Sequence, residues 1–165
     1  MSDSTEGTGS TESTKGNPSP YDPTTDGWKQ VGRHGFIKLL GPMFTRRVGD
    51  TWEYAILLDE RHLNPAGVVH GGVLMSLVDS AISLVAWEAT GRVTALTAQL
   101  DSHFMGSAYA GDFVIGRAEV MKKTSSLVFL RGTLSVRDET IMSALAVMKI
   151  MKPRPNATPG DAPSP

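Results

Sequence analysis

The stretch HLNPAGVVHGGVLMSLVDSA, residues 62–81, decides how the rest of the chain is arranged. Between Arg61 and Glu88 the one formally charged side chain is Asp79, set among Val, Leu, Ile, Met, Ala, Gly and small polar residues. From Gly71 to about Thr90 there is no proline, and Leu74, Leu77, Val78, Ala81, Ile82 and Val85 recur at helical spacing. The other faces are nearly as apolar, which predicts a helix wrapped by other structure rather than one laid on a surface. A buried acid is costly unless it is paired, hydrogen-bonded or protonated, so Asp79 calls for a role.

Outward from this helix the hydrophobic period changes. Gly91 is placed to end the helix as a left-handed cap. Beyond it the pattern alternates, and Leu96, Ala98, Leu100 and Phe104 are predicted on one face of a strand, with Thr97, Gln99, Asp101 and His103 on the other. Gly111-Asp112 marks a turn, residues 113–121 a strand, residues 122–125 a polar turn, and residues 127–136 and 141–151 two further strands joined at Arg137-Asp138-Glu139. Upstream, Gly41-Pro42 and Gly49-Asp50 bracket a hairpin of residues 43–47 and 51–58, where Trp52, Tyr54, Ile56 and Leu58 alternate with Thr51, Glu53 and Ala55. Short connections imply antiparallel neighbours, and strands beside one helix imply an α+β layer. A lone sheet with one helix to cover it should curl around that helix.

The chain has 165 residues, enough for one domain. Residues 1–27 are Ser, Thr, Gly, Pro, Asp and Glu with little that is apolar, and residues 152–165 are Pro-rich without periodicity, so both are expected to be disordered tails around a folded part of residues 28–151. A formal net charge of −1 argues against nucleic acid. Asp79 interrupts the best candidate for a membrane span, and the polar N-terminus offers no apolar core for a secretory signal, which leaves a cytoplasmic address as the default. With no cysteine, thiolate nucleophiles and disulfides are excluded, and His34, His62, His70 and His103 show no metal-ligand spacing.

Two places carry candidate chemistry. His70-Gly71-Gly72 opens the helix, where backbone N–H groups lack intrahelical partners and glycine lets a ligand approach the backbone. Such an end can hold a developing oxyanion, although Gly-Gly is also a common tight turn and a lone histidine is commonly structural. The second is Asp79, which lies on a stripe with Ser76, Ser80 and Ser83 and no other charge, unlike a water-facing side. Gly71 and Asp79 are eight residues apart, about 12 Å along one helix axis at ~1.5 Å per residue. One substrate carbonyl cannot meet both within the ~3 Å that base catalysis needs. If both serve one reaction, they come from different subunits.

These residues carry a resemblance. The pattern HxNxxGxxHGG followed by LxD resembles the signature of hotdog-fold acyl-CoA thioesterases of the phenylacetic-acid-degradation type, and the element order over residues 43–151 is similar to the family fold throughout. The resemblance implies the α+β hotdog fold, one long central helix wrapped by a curved antiparallel β-sheet, and hydrolysis of an acyl-CoA to free acid and CoA without a cofactor. It implies that Gly71 offers its N–H to the thioester carbonyl, that Asp79 of a partner subunit is general base or nucleophile, that Asn64 positions water or substrate, that His70 shapes the pocket, and that Thr97 orients the acid. Gly72, Ser80 and Lys122 are assigned to substrate or CoA binding. Lys122 in the turn KKTSS, which departs from the family's commoner glycine-containing turn, reads from the sequence alone more readily, with Lys123, as a solvated turn lysine, and Ser107 stands where family members usually carry proline. The family implies homodimers that often pair into tetramers. A non-catalytic acyl-CoA-binding regulator, and a hydratase or dehydratase on the same fold, are the other readings; the first gives no reason to bury Asp79, and the HGG block does not look like the dehydratase motif.

Overall fold

A computed structural model describes residues 21–31 and 35–151. Of the expected tails 1–27 and 152–165, residues 1–20 and 152–165 lie outside the described residues, as does His34, while residues 21–27 are ordered, with a 3-10 turn at Pro23–Asp26 and Tyr21 packed on Phe113. In chain order the elements are β1 (Lys29–Val31), α1 (Gly35–Leu40), β2 (Met43–Val48), β3 (Thr51–Leu57), α2 (Gly71–Ala89), β4 (Ala95–Phe104), β5 (Phe113–Lys123), β6 (Leu127–Val136) and β7 (Glu139–Ile150), with single 3-10 turns at Pro23–Asp26 and Glu60–His62. The sheet has seven strands in the order β1-β2-β3-β5-β6-β7-β4. Every neighbouring pair is antiparallel.

The connection from β3 to β4 explains the layout. Leaving β3 near one side, the chain crosses one face of the sheet as α2 and enters β4 at the far edge. The later strands then fill the gap beneath the helix. Leu74, Leu77, Val78, Ala81, Ile82 and Ala86 of α2 are buried against Ile56, Val114, Leu130, Leu134, Met142 and Met148 of the sheet. Burying each large aliphatic side chain stabilises the fold by roughly 1.5–3 kcal/mol. By length and composition α2 would also be apolar enough to cross a membrane; here it is the core helix of the domain.

The helix sits close because the strands beneath it carry glycine. A Cβ at Gly132 of β6 would lie 2.8 Å from two atoms of Ile82 and 2.9 Å from Val78, and one at Gly116 of β5 would lie 3.0 Å from Ala81. The outer face of β3 is covered as well, so this strand is buried on both sides. Trp28, Phe44 and Ala55 form a second apolar cluster with Phe113, and Tyr21 packs edge-on against that same ring. Beside it the buried Glu53 carboxylate accepts from Arg46 at 2.7 Å and Arg117 at 2.6 Å.

Three expectations change. The polar turn is confined to residues 124–126, because β5 runs through Lys123. A further strand, β1, and the short α1 precede the expected hairpin. The helix is not wrapped all round: Ser76, Asp79, Ser80 and Ser83 lie half-buried on the side the sheet leaves open.

Replacing Gly132 with Ala should cost about 1–3 kcal/mol of stability by overpacking the helix seat. Urea unfolding followed by circular dichroism checks this, and an unchanged midpoint would show that α2 shifts freely on the sheet.

Candidate active site

The start of α2 is built by the loop before it. His62 is buried; its Nε2–H donates to the Leu40 carbonyl at 2.6 Å, and its Nδ1 accepts from the Asp59 N–H at 2.9 Å. The His62 carbonyl in turn accepts from the His70 N–H at 2.8 Å. No role for His62 was legible in the residues, and burial with both ring nitrogens engaged marks it as an anchor for this loop. Asn64 folds the next turn, with its Oδ1 accepting from Ala66 N–H at 2.8 Å and its own N–H donating to the Val68 carbonyl at 2.8 Å. That leaves its side-chain NH₂ as the group it can offer a substrate.

His70 is the N-cap of α2. Its Nδ1 accepts from the Gly72 N–H at 2.9 Å, which puts the ring proton on Nε2 and removes Nδ1 from the list of available bases. The His70 carbonyl accepts from the Val73 N–H at 2.9 Å. Of the first three N–H groups of the helix, those of Gly72 and Val73 are thus engaged, and among the described residues nothing accepts from that of Gly71. The two glycines differ: the Gly72 N–H is taken up by His70, and Gly71 holds the free donor, where the helix dipole favours negative charge.

Two turns down the helix, Asp79 meets Thr97. The Thr97 hydroxyl donates to Asp79 Oδ1 at 2.7 Å across the gap between α2 and β4. Simple alternation placed Thr97 on the opposite face from Leu100, and a bulge corrects it. The register slips between Thr97 and Gln99, so that Thr97 pairs with the buried Met148, and Leu100 with Ala146, on the helix side. Leu96 instead pairs with Lys149 and is 52 % exposed. The Ser76 and Ser80 hydroxyls donate to the Gly72 and Ser76 carbonyls within the helix. Ser80 therefore brings bulk and shape to the stripe more than a free donor.

A second bulge, between Val120 and Lys122, reverses which of the two adjacent lysines faces the helix. Lys122 pairs with Phe129 on the outer side, while Lys123 lies on the helix side and donates to the Ala89 carbonyl at 2.7 Å, at the C-terminal end of α2. In the single chain nothing directs Lys122 toward Gly71 or Asp79. A cavity of about 320 Å³ lined by Trp52, Val85, Glu88 and Val120 opens at that same far end of the helix, remote from Gly71. Among the described residues no cluster of three or more His, Asp or Glu side chains is placed to hold a metal.

The residue that sequence reading missed is Phe104. Read as an ordinary core-face position, it is 53 % exposed at the end of β4, and its ring lies over Gly71, 3.3 Å from where a Cβ would stand. The two ends of β4 thus contact two different parts of α2: Thr97 meets Asp79, and Phe104 meets Gly71.

Residues 66–143 match the family model "Thioesterase superfamily". A candidate esterase of Pseudomonas aeruginosa is 28% identical over 116 residues, covering 69% of this chain and 87% of that protein. Zebra fish thioesterase superfamily member 2 superposes with a TM-score of 0.65 at 19% identity, covering 71% of this chain and 87% of that one. A variant of the phenylacetic acid degradation protein PaaI from Thermus thermophilus superposes with a TM-score of 0.64 at 19% identity, covering 70% and 98%. The family match and the esterase-like relative support a thioester hydrolase in general terms. The chain has the hotdog fold of these structures, and the segment that matches the thioesterase superfamily model is the one that carries Gly71, Asp79 and Thr97.

Proposed function

We propose that the protein is an acyl-CoA thioesterase whose site is completed by two copies of the chain. The observation that carries this reading is the arrangement along β4. Among the described residues this strand is a ten-residue sheet edge paired only with β7, and most of its residues are exposed. Its Thr97 end holds Asp79, and its Phe104 end holds Gly71. Antiparallel pairing of two such edges about a two-fold axis sets the Thr97 end of one strand beside the Phe104 end of the other, about 5 Å away. The helix sides of both sheets then face the same way. The oxyanion donor of one chain and the acid of its partner become neighbours, and the roughly 12 Å that separates them within one helix ceases to matter.

In this site the thioester carbonyl oxygen accepts from the Gly71 N–H. The partner's Asp79 carboxylate, held by the Thr97 hydroxyl, takes a proton from water as the water oxygen bonds to the carbonyl carbon. The negative charge that forms on the carbonyl oxygen rests on the helix start, where one such donor is worth roughly 3 kcal/mol in the transition state. Collapse of the intermediate breaks the carbon–sulfur bond, and CoA leaves as the thiolate, taking a proton to become the free thiol. Asn64 contributes its amide NH₂ to the water or the substrate. A non-catalytic acyl-CoA binder would give the Asp79–Thr97 pair no task. The cytoplasm, where acyl-CoA is available, is the compartment that fits this reading.

Changing Asp79 to Ala should lower CoA release from acyl-CoA by at least about 100-fold while leaving the oligomer and the unfolding midpoint in place. Thr97→Ala should cost about 10- to 100-fold, the equivalent of one hydrogen bond to a charged group. Thiol release measured with a chromogenic disulfide reads both, and near-normal turnover by the Asp79 variant would sink the assignment.

Gly71→Pro removes the donor, because proline is favoured at the first helical position and lacks the N–H, and since its ring must also displace that of Phe104, which lies 3.3 Å from a Cβ there, the unfolding midpoint is read beside the activity. Its expected loss is about 100- to 1,000-fold. Mixing that variant with Asp79→Ala should restore about half of the wild-type activity per mixed dimer, since one of the two sites regains both groups. Failure of the mixture to recover, with exchange of subunits demonstrated by mass spectrometry, would place both groups in one chain.

A further inference from the structure

We propose that Phe104 is a specificity-determining residue: its ring is the wall that the acyl carbons next to the thioester carbonyl must pass, and it selects acyl groups unbranched at the carbon adjoining the carbonyl. The inference rests on the thioesterase reading and deepens it.

Phe104 is half exposed, 53 %, although its side chain lies on the helix side of the sheet, and Met105 beside it is 57 % exposed. Its ring is close to Gly71. Two ring carbons, Cε1 and Cζ, lie 3.3 Å from the position a Cβ on Gly71 would occupy, so even a methyl group fits there only if the ring moves by a few tenths of an ångström. A carbonyl oxygen on the Gly71 N–H stands about 2.9 Å from that nitrogen. The two atoms flanking the carbonyl carbon, the acyl carbon and the thioester sulfur, then lie within about 5 Å of it. One of them runs past the ring.

Chemistry decides which. Phe104 and Met105 present an apolar surface, and the arm attached to the sulfur carries amides that would leave their hydrogen bonds to water on approaching it. A hydrocarbon acyl chain loses nothing there and gains contact with the ring.

The backbone that carries the ring is pinned. Phe104 pairs with Met142 as the last residue of β4, and the next two N–H groups, of Met105 and Gly106, both donate to the Ile141 carbonyl at 2.9 and 3.0 Å. Gly106 itself is pressed on Ile141, whose Cγ2 is 3.0 Å from where a Cβ would stand. A wall carried on a pinned backbone beside the oxyanion donor tolerates a straight methylene chain or a flat group, and a methyl branch beside the carbonyl meets it edge-on. One methyl in such a pocket is worth roughly 10- to 200-fold in kcat/KM.

The test compares the straight-chain acyl-CoA that the wild-type protein hydrolyses best with its 2-methyl counterpart. Wild type should favour the straight chain by at least about tenfold. Phe104→Ala should bring the two substrates within about threefold, chiefly by raising kcat/KM for the branched one. Phe104→Leu, which keeps an apolar side chain of smaller reach, should fall between, and it carries the test if the alanine variant fails to fold. Discrimination that is the same in wild type and both variants overturns the Phe104 assignment alone. A loss of kcat/KM on both substrates by the same factor also overturns it, since a structural residue would do that. If the wild-type chain releases no CoA from a panel running from acetyl- to palmitoyl-CoA and including phenylacetyl-CoA, the hydrolase reading falls, and this inference with it.

Discussion

The close seat of α2 on the sheet is the constraint on which the rest of the molecule depends. Gly116 and Gly132 remove side chains where the helix crosses β5 and β6, and Ala81, Val78 and Ile82 fill that space. Strands carrying larger residues there would hold the helix off, and the core formed by Leu77, Leu130, Leu134 and Met142 would lose its contacts. The seat also fixes the rotation of the helix about its axis. With Leu74, Leu77, Val78, Ala81 and Ile82 turned into the sheet, Ser76, Asp79 and Ser80 are turned toward the open side next to β4.

Once the helix is fixed, the edge strand decides what its acid can meet. The bulge around Ala98 brings Thr97 onto the helix side without disturbing Leu100, Ser102 and Phe104 further along. A regular strand would have carried Thr97 to the outer face, because the side-chain period is two and one extra residue reverses it. The same device on β5 has a different outcome: it turns Lys122 outward and brings Lys123 to the last carbonyls of α2, where a cation complements the helix dipole. Two bulges in one sheet thus set the charges and hydroxyls at two ends of one helix.

At the other end of α2 the geometry is set by hydrogen bonds instead of packing. His62 ties α1, the loop and the residue before the helix into one unit, and His70 caps that helix with its ring nitrogen. Both histidines are engaged in holding backbone. Their effect is to leave the Gly71 N–H as the donor without an acceptor at the helix start. The open edge at β4 and the uncovered polar stripe are the physical reasons for reading this chain as one half of a two-chain site.

Much of this was legible in the residues. The 3.6 period over residues 71–90, the period of two on either side of it and the turn glycines fix one long helix among antiparallel strands, because those periods are properties of the backbone. The HxNxxGxxHGG and LxD pattern likewise singled out Gly71 and Asp79, and helix rise alone was enough to separate them. What the sequence could not fix is whatever depends on a neighbour distant in the chain. Alternation put Thr97 on the wrong face, since a bulge is defined by the partner strand β7 and leaves no mark on β4 itself. Phe104 looked like one more core position, since only the crossing of β4 and α2 brings its ring to Gly71. Sequence determined the elements and the groups with chemical potential; tertiary structure decided which of those groups touch, because register and crossing angle are set by side chains that meet only after folding.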